Sequence, residues 1–372
     1  MKKILLFLLA IVAFASCKQN KFEINGEILG NTIPAKVYLK LVTDNGEPKI
    51  IDSSFVKNGV FKMTGTSDYP EFCMLQFSND MIFPIVLENG NIQFNINLEN
   101  VSNYKIGGSL SNDLLNDYRN AEKKFFVGIE ALTQEYVNAQ SKGTLTPELD
   151  SSLNAKYKVI TAKRNQYVID FIKKHSTNFA AAVVLSEQES SLPIQDFKAL
   201  YDDISKNFPN SQLVKKLQKY IEVENRTAVG SPFIDFDLAN VDGKMVKFSS
   251  IVDKYKVVLL DFWAAWCGPC RLENPNVLKL YNDFKNKGFE VVGVSLDDSR
   301  SQWLNAIAKD GITWIQLSDL KGWKSSAAQL YGVNAIPSTF LIYNGKIVAK
   351  NLRGEELDKK VAELINKKTS GF

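Results

Sequence analysis

Cys267 and Cys270 are separated by Gly268 and Pro269, with Trp266 immediately before them. The apolar, β-branched run Val257-Val258-Leu259-Leu260 reads as a buried strand. Residues 271–285 read as a helix, so the dithiol sits at a strand-to-helix junction. Unpaired backbone N–H groups and the helix dipole at that point favour a thiolate, which makes Cys267 the expected nucleophile. Three residues on, Cys270 lies one turn further along the same side, within disulfide reach and shielded by the helix. The chemistry implied is thiol–disulfide exchange: Cys267 attacks a disulfide and Cys270 resolves the mixed disulfide. A zinc half-site would need a second Cys/His pair, and the chain supplies only one histidine, His175, beside Lys173 and Lys174. No metal or cofactor is therefore expected, and His175 reads as a solvated surface residue. A Cys-His hydrolase mechanism finds no histidine in the last domain.

Of the other two cysteines, Cys73 lies in the apolar strand-like run Phe72-Cys73-Met74-Leu75 and reads as an inert buried thiol. Cys17 belongs to the N-terminus. Met1-Lys2-Lys3 followed by apolar Ile4 to Phe14 has the form of a signal peptide over residues 1–16. It is too short to span a bilayer comfortably. Ala13-Phe14-Ala15 suits ordinary cleavage and a soluble periplasmic product. Ala15-Ser16-Cys17 resembles the end of a bacterial lipobox, in which Cys17 carries the lipid, with Phe14 departing from the usual leucine. The lipid-anchored reading is preferred, which places the chain on the cell envelope facing the periplasm, where disulfides form. The net charge of +4, from 45 basic and 41 acidic residues without a basic cluster, gives no support to nucleic-acid binding.

The sequence predicts a multidomain chain: an antiparallel β domain, a helical region and a C-terminal α/β domain. Residues 22–108 alternate in the manner of half-buried strands, as in Ile92 to Leu98 and at Val37, Leu39 and Leu41. Asn-Gly pairs at 25–26, 45–46, 58–59 and 89–90 are each read as tight turns. Residues 109–227 change to a helical period. Leu114, Tyr118, Ala121, Phe125, Ile129, Leu132 and Tyr136 mark one long helix whose stripe is read as core. Thr146-Pro147 signals the start of a second long helix, and shorter ones are expected near 194–206 and 210–224. From 228 to 372, strands and helices alternate after a hairpin of 233–238 with 245–248, and a second hairpin turns at Asn344-Gly345. That order predicts a mixed sheet flanked by helices.

The segment from Lys256 to Cys270, with Asp-Phe-Trp-Ala-Ala-Trp-Cys-Gly-Pro-Cys at its end, resembles the active-site segment of thioredoxins. Asn334-Ala335-Ile336-Pro337-Ser338-Thr339-Phe340 is similar to that family's cis-proline loop. The leading hairpin and Val294-Ser295-Leu296-Asp297 resemble the TlpA/ResA-type branch of exported thioredoxin-like proteins. The regions upstream are similar to the leader modules of lipoprotein thiol-disulfide interchange proteins. The resemblance implies a thioredoxin-like fold over 228–372 and a set of roles. Pro337 would be cis and lie against the dithiol, and the backbone of Ile336 would pair with an extended substrate segment. Asp261 would carry the proton of Cys270, with Glu273 as a second carboxylate serving the same end. Trp263 and Trp266 would shape an apolar shelf beside Cys267, with Trp266 touching substrate. Pro275 would kink the helix.

Gly-Pro between the cysteines resembles reducing thioredoxins, so the expected direction is reduction of disulfides in exported proteins, with a membrane thiol carrier as electron donor. Two alternatives remain. A peroxidase of the same fold would carry Pro-x-x-x-Thr-x-x-Cys, where this chain has Leu260 and Ala264. A binding lipoprotein would do its work through the leader domains instead.

Overall fold

The computed structural model describes residues 21–189 and 191–367. Residues 1–16 and the lipidation candidate Cys17 lie outside the described residues. The chain divides into two compact units, one ending at Gln218 and the other starting at Lys219.

The first unit opens with β1 (Phe22–Leu29), β2 (Lys36–Val42), β3 (Pro48–Phe55), β4 (Val60–Gly65), β5 (Glu71–Phe77), β6 (Ile82–Leu87), β7 (Gly90–Asn97) and β8 (Lys105–Gly107). They form two four-stranded sheets, ordered β4-β1-β7-β8 and β3-β2-β5-β6. Alternation drives the arrangement: Ile24, Leu39, Leu75, Ile92 and Phe94 are buried, each with exposed or half-exposed neighbours in its strand. A ring cluster of Phe61, Phe77, Phe83 and Phe94 fills the middle, with Phe77 and Phe94 meeting edge to face at 5.7 Å. One expectation is corrected here. The sheets are not wholly antiparallel, because β1 and β7 pair in parallel. A parallel neighbour needs a long crossover, and the whole β2–β6 excursion supplies it.

A second correction concerns Asn25-Gly26, which lies inside β1 and turns nothing. A Cβ at position 26 would sit 1.9 Å from the Phe61 ring, so the glycine makes room for the core. Asn58-Gly59 does turn, with φ of 51° and 78°. Cys73 is buried and unpaired in β5, where burial pushes its thiol up out of reach of ordinary pH.

Helices follow: α1 (Leu110–Ser141), α2 (Pro147–Lys174), α3 (Phe179–Ser186), α4 (Ile194–Asn207) and α5 (Gln212–Arg226). Thr146 caps α2, its side chain accepting from the Leu149 N–H at 3.2 Å. On α1 the expected stripe is covered only in part. Tyr118 is buried, Phe125, Ile129 and Leu132 are half-buried, and Tyr136 is exposed. His175 is not a free surface residue: it is half-buried with its ring 4.8 Å from Phe171. Burial first, and Lys174 second, hold its pKa below the ordinary value. The helix α3, unforeseen, is Phe-Ala-Ala-Ala-Val-Val-Leu and buried on every side, so it has no amphipathic period to read.

The second unit takes in the end of α5 and continues with β9 (Asp237–Asn240), β10 (Met245–Lys247), α6 (Ser249–Val252), β11 (Val257–Trp263), α7 (Gly268–Phe284) and β12 (Phe289–Ser295). After these come α8 (Arg300–Asp310), β13 (Ile315–Ser318), α9 (Ser326–Tyr331), β14 (Ser338–Tyr343), β15 (Lys346–Lys350) and α10 (Gly354–Asn366). One seven-stranded mixed sheet results, in the order β10-β9-β13-β12-β11-β14-β15. Only β11–β12 and β12–β13 are parallel, and β11 and β12 are buried along their whole length. The leading hairpin is shorter than expected. Residues 233–236 are not strand, since Phe233 donates to Gly345 and Ile234 is held through both its N–H and carbonyl by the Tyr331 hydroxyl.

The Phe61 contact gives a first test. Gly26→Val should lower the chemical-denaturation midpoint of the β unit, at a cost of about 1–3 kcal/mol; an unchanged midpoint would remove the packing account of this glycine.

Candidate active site

Cys267 is the N-cap of α7 and Cys270 lies within its first turn. The two sulfurs are bonded, with Cα atoms 5.3 Å apart. The Cys270 N–H points at the Cys267 sulfur over 3.2 Å, the N-cap geometry in which a helix end would greet a thiolate. Both cysteines are buried, Cys267 at 5% exposure and Cys270 at 2%. The open rim consists of Trp266, Gly268 and Pro269. Helix α7 continues through Pro275 without a break in its assignment.

Strand β11 delivers the rest. It lies between β12 and β14, with Asp261 opposite Gly293 on one side and Thr339 on the other. This register brings the start of β14, and so the cis Ile336–Pro337 bond, beside the strand end from which the dithiol loop departs. Asp261 is buried, on the face of β11 turned toward α7 and α10. Together with Cys270, Glu273, Pro337, Thr339 and Arg353 it lines a small enclosed cavity that gives about 10 Å³ to the centre of a water-sized molecule, room for one water at most. Burial lifts the Asp261 carboxyl to about 7, the nearby Glu273 charge adds to the rise, and Arg353 opposes it.

Glu273 is half-buried rather than a freely solvated helix acid. Its carboxylate accepts from the Gly354 N–H at 2.8 Å, at the start of α10, and from the Asn276 amide at 3.1 Å. The preceding residue, Arg353, donates to the Pro337 carbonyl at 2.7 Å. The first residues of α10 thus hold Glu273 with one hand and the cis-proline loop with the other. Ile336 and Pro337 are half-buried at the rim. Trp263 departs from expectation: it is core, its indole N–H donating to the Gln316 side chain at 2.9 Å, while Trp266 alone of the two is exposed. Gly293 leaves the space that Gln316 occupies, since a Cβ there would come within 2.3 Å of its amide.

Three further residues position the dithiol loop, and the sequence reading assigned them no role. Asp297, fully buried just beyond β12, accepts from the Ala265 N–H at 3.0–3.1 Å and from the Ser295 hydroxyl at 2.7 Å. Arg271 donates to the Ala265 carbonyl at 3.1 Å and is itself clamped by Asp310, which also accepts from Asn274. Ala265, two residues before Cys267, is therefore fixed through both its backbone groups. A signal for Asp297 did exist, an acid at the C-terminal end of a parallel strand, where α/β sheets build their sites. Arg353 had none, since its partners come from distant segments.

Comparison with known proteins matches this region and the leader separately. Residues 229–350 match the AhpC/TSA family, and residues 22–115 match a domain of unknown function, DUF4369. The thiol-disulfide oxidoreductase ResA of Bacillus cereus is 28% identical over 152 residues, which cover 41% of this chain and 85% of that protein. ResA of Bacillus subtilis is 30% identical over 137 residues, covering 37% and 74%. Among solved structures, the thioredoxin domain of a thiol-disulfide oxidoreductase from Bacteroides vulgatus is 38% identical, with a TM-score of 0.35, covering 37% of this chain and 99% of that one. A thiol-disulfide oxidoreductase from Bacteroides fragilis is 35% identical, with the same TM-score, covering 36% and 99%. With a bonded Cys-Gly-Pro-Cys pair at a helix start and curated relatives aligned over most of their length, the chain belongs to the ResA/TlpA-type thiol-disulfide oxidoreductases, carried on a thioredoxin-like C-terminal domain.

Proposed function

We propose that the protein is a lipid-anchored, periplasm-facing reductase of disulfides in exported proteins, working through Cys267 and Cys270. The observation that carries the reading is the bonded pair at the start of α7, flanked by the cis-proline loop and backed by a buried carboxyl whose proton equilibrium sits near neutrality. In the reduced protein, the Cys267 thiolate attacks one sulfur of the client disulfide. The S–S bond breaks, the client's other sulfur leaves as a thiolate, and Cys267 is joined to the client. Asp261 then takes the proton of Cys270, whose thiolate attacks the Cys267 sulfur. The client leaves with both cysteines reduced, and two electrons have passed from the dithiol to the client. Glu273, on the same cavity, serves as the second proton carrier.

Trp266 and the Ile336–Pro337 backbone form the client-facing rim, the latter by pairing with an extended segment as an added strand. A membrane thiol carrier returns the two electrons. Cys17 supplies the anchor after removal of residues 1–16, and the working division of the chain is a leader at 22–108, a helical region at 109–227 and the redox domain at 228–372. The AhpC/TSA match favours peroxide reduction as a second reading. Against it, Leu260 and Ala264 stand where a peroxidatic motif has proline and threonine.

Insulin reduction driven by a dithiol tests the assignment. Wild type should reduce it, Cys267→Ser should not, and equal rates would end the enzyme reading. Cys270→Ser should accumulate clients as mixed disulfides on Cys267, detectable by mass spectrometry of trapped adducts. The reduction potential should lie nearer the ~−270 mV of thioredoxin than the ~−120 mV of a strong oxidant; a value at the oxidising end would reverse the direction.

Asp261 gives a test with a definite sign. Because its folded pKa of about 7 lies above the ordinary 3.8, the folded protein holds a proton that the unfolded chain releases. Stability from this group is full at acid pH and declines as pH rises from about 4 to about 7. Asp261→Asn should therefore raise the denaturation midpoint at pH 8, by at most roughly 4 kcal/mol, and hardly at all at pH 4. The same variant should flatten the rise of exchange rate with pH through neutrality, and an unaltered pH profile would exclude Asp261 as the proton carrier.

A further inference from the structure

Three of the five tryptophans, Trp263, Trp303 and Trp314, are buried in the redox unit. The other two are not. Trp266 is 52% exposed and Trp323 46%, although indole is among the most expensive side chains to leave in water. They come from different elements, the loop before α7 and the single turn at 322–324 that follows β13, yet their rings meet at 5.9 Å with a 53° tilt. Trp266 adjoins Cys267 in sequence, so the pair is continuous with the rim of the dithiol.

The turn that carries Trp323 is hydrogen-bonded on both sides. Ser318 donates its hydroxyl to the Ser295 carbonyl at 2.9 Å and accepts from the Leu320 N–H at 3.1 Å, tying the turn to the two central parallel strands. Leu320 and Gly322 take positive φ, and Asp319 accepts from the Ser326 N–H at 2.9 Å, fixing the far side. The turn fixes the backbone on both sides of Trp323, and the indole, left half in solvent, has its ring contact with Trp266. Tilted rings leave an edge and a face free to receive a third apolar group in the edge-to-face manner that aromatic side chains prefer. Cys267 is itself buried, and the exposed residues beside it in the chain are Trp266, Gly268 and Pro269, so the tryptophan pair lies along one side of the approach to it.

We propose that Trp323, paired with Trp266, reads the residue next to the client's disulfide cysteine and favours aromatic or large aliphatic side chains there. The inference rests on the exchange reading above and assigns that site a client preference. Trp323 is thereby a specificity residue, outside the chemistry itself.

The experiment uses the full reduced chain and two synthetic peptides, each closed by one intramolecular disulfide. They are identical except that the residues flanking both cysteines are tryptophan in one and serine in the other. Wild type should show a kcat/KM ratio of about fivefold to tenfold in favour of the tryptophan peptide, the discrimination one aromatic pairing supplies. Trp323→Ala should bring the ratio close to one, and Trp323→Phe should keep most of it. The ratio is independent of the folded fraction, so a partly unfolded variant does not mimic the result. A ratio unchanged in Trp323→Ala, or lost equally in Trp323→Phe, overturns the proposal while exchange stands. Failure of the wild type to reduce either peptide overturns the exchange reading itself.

Discussion

The antiparallel register of β14 on β11 is the constraint on which the site depends. Asp261 opposite Thr339, and Phe262 opposite Ser338, leave Pro337 as the next residue along, level with the end of the strand that carries the dithiol loop. A slip of one residue would turn Asp261 to the other face of the sheet and carry the proline away from the cysteines. The register is held by apolar content on both faces, with Val257 to Trp263 buried without interruption. The fold thus couples its stability to the alignment of its reactive groups, and no separate device is needed to align them.

Burial of a carboxyl in that setting is costly, and the surroundings moderate the cost only in part. Glu273 adds negative charge nearby and Arg353 adds positive charge. Arg353 donates to the Pro337 carbonyl rather than to Asp261, so the carboxyl is not fixed in its charged state. Glu273 and Arg353 are meanwhile occupied with the start of α10 and the Pro337 carbonyl. The electrostatics of the cavity and the position of the cis-proline loop are consequently anchored by the same two consecutive residues, Arg353 and Gly354.

Much of this was legible in the sequence because it is local. The strand–dithiol–helix order and the Thr146 cap each sit within a few residues and follow from residue type, whereas the proline loop was legible through its resemblance to the thioredoxin motif. The parallel pairing of β1 with β7 was hidden because two strands some 70 residues apart leave no mark on each other's composition. Helix α3 was hidden because complete burial erases periodicity. At Gly26 an Asn-Gly pair carried the sign of a turn, and a phenylalanine from another strand overruled it. Asp297, Arg353 and Trp323 act on the site from segments far from Cys267 in the chain, so their part becomes visible only once the sheet has brought them together.

The burial of both cysteines bears on which thiols can reach them. A freely diffusing small thiol must reach a pair of buried cysteines without an extended backbone to make contacts along the rim. A protein that carries its thiols on a projecting, ordered segment can bring rim contacts and reacting sulfur together in one encounter. An extended segment that makes those rim contacts therefore gains an advantage in exchange over a small thiol that makes none.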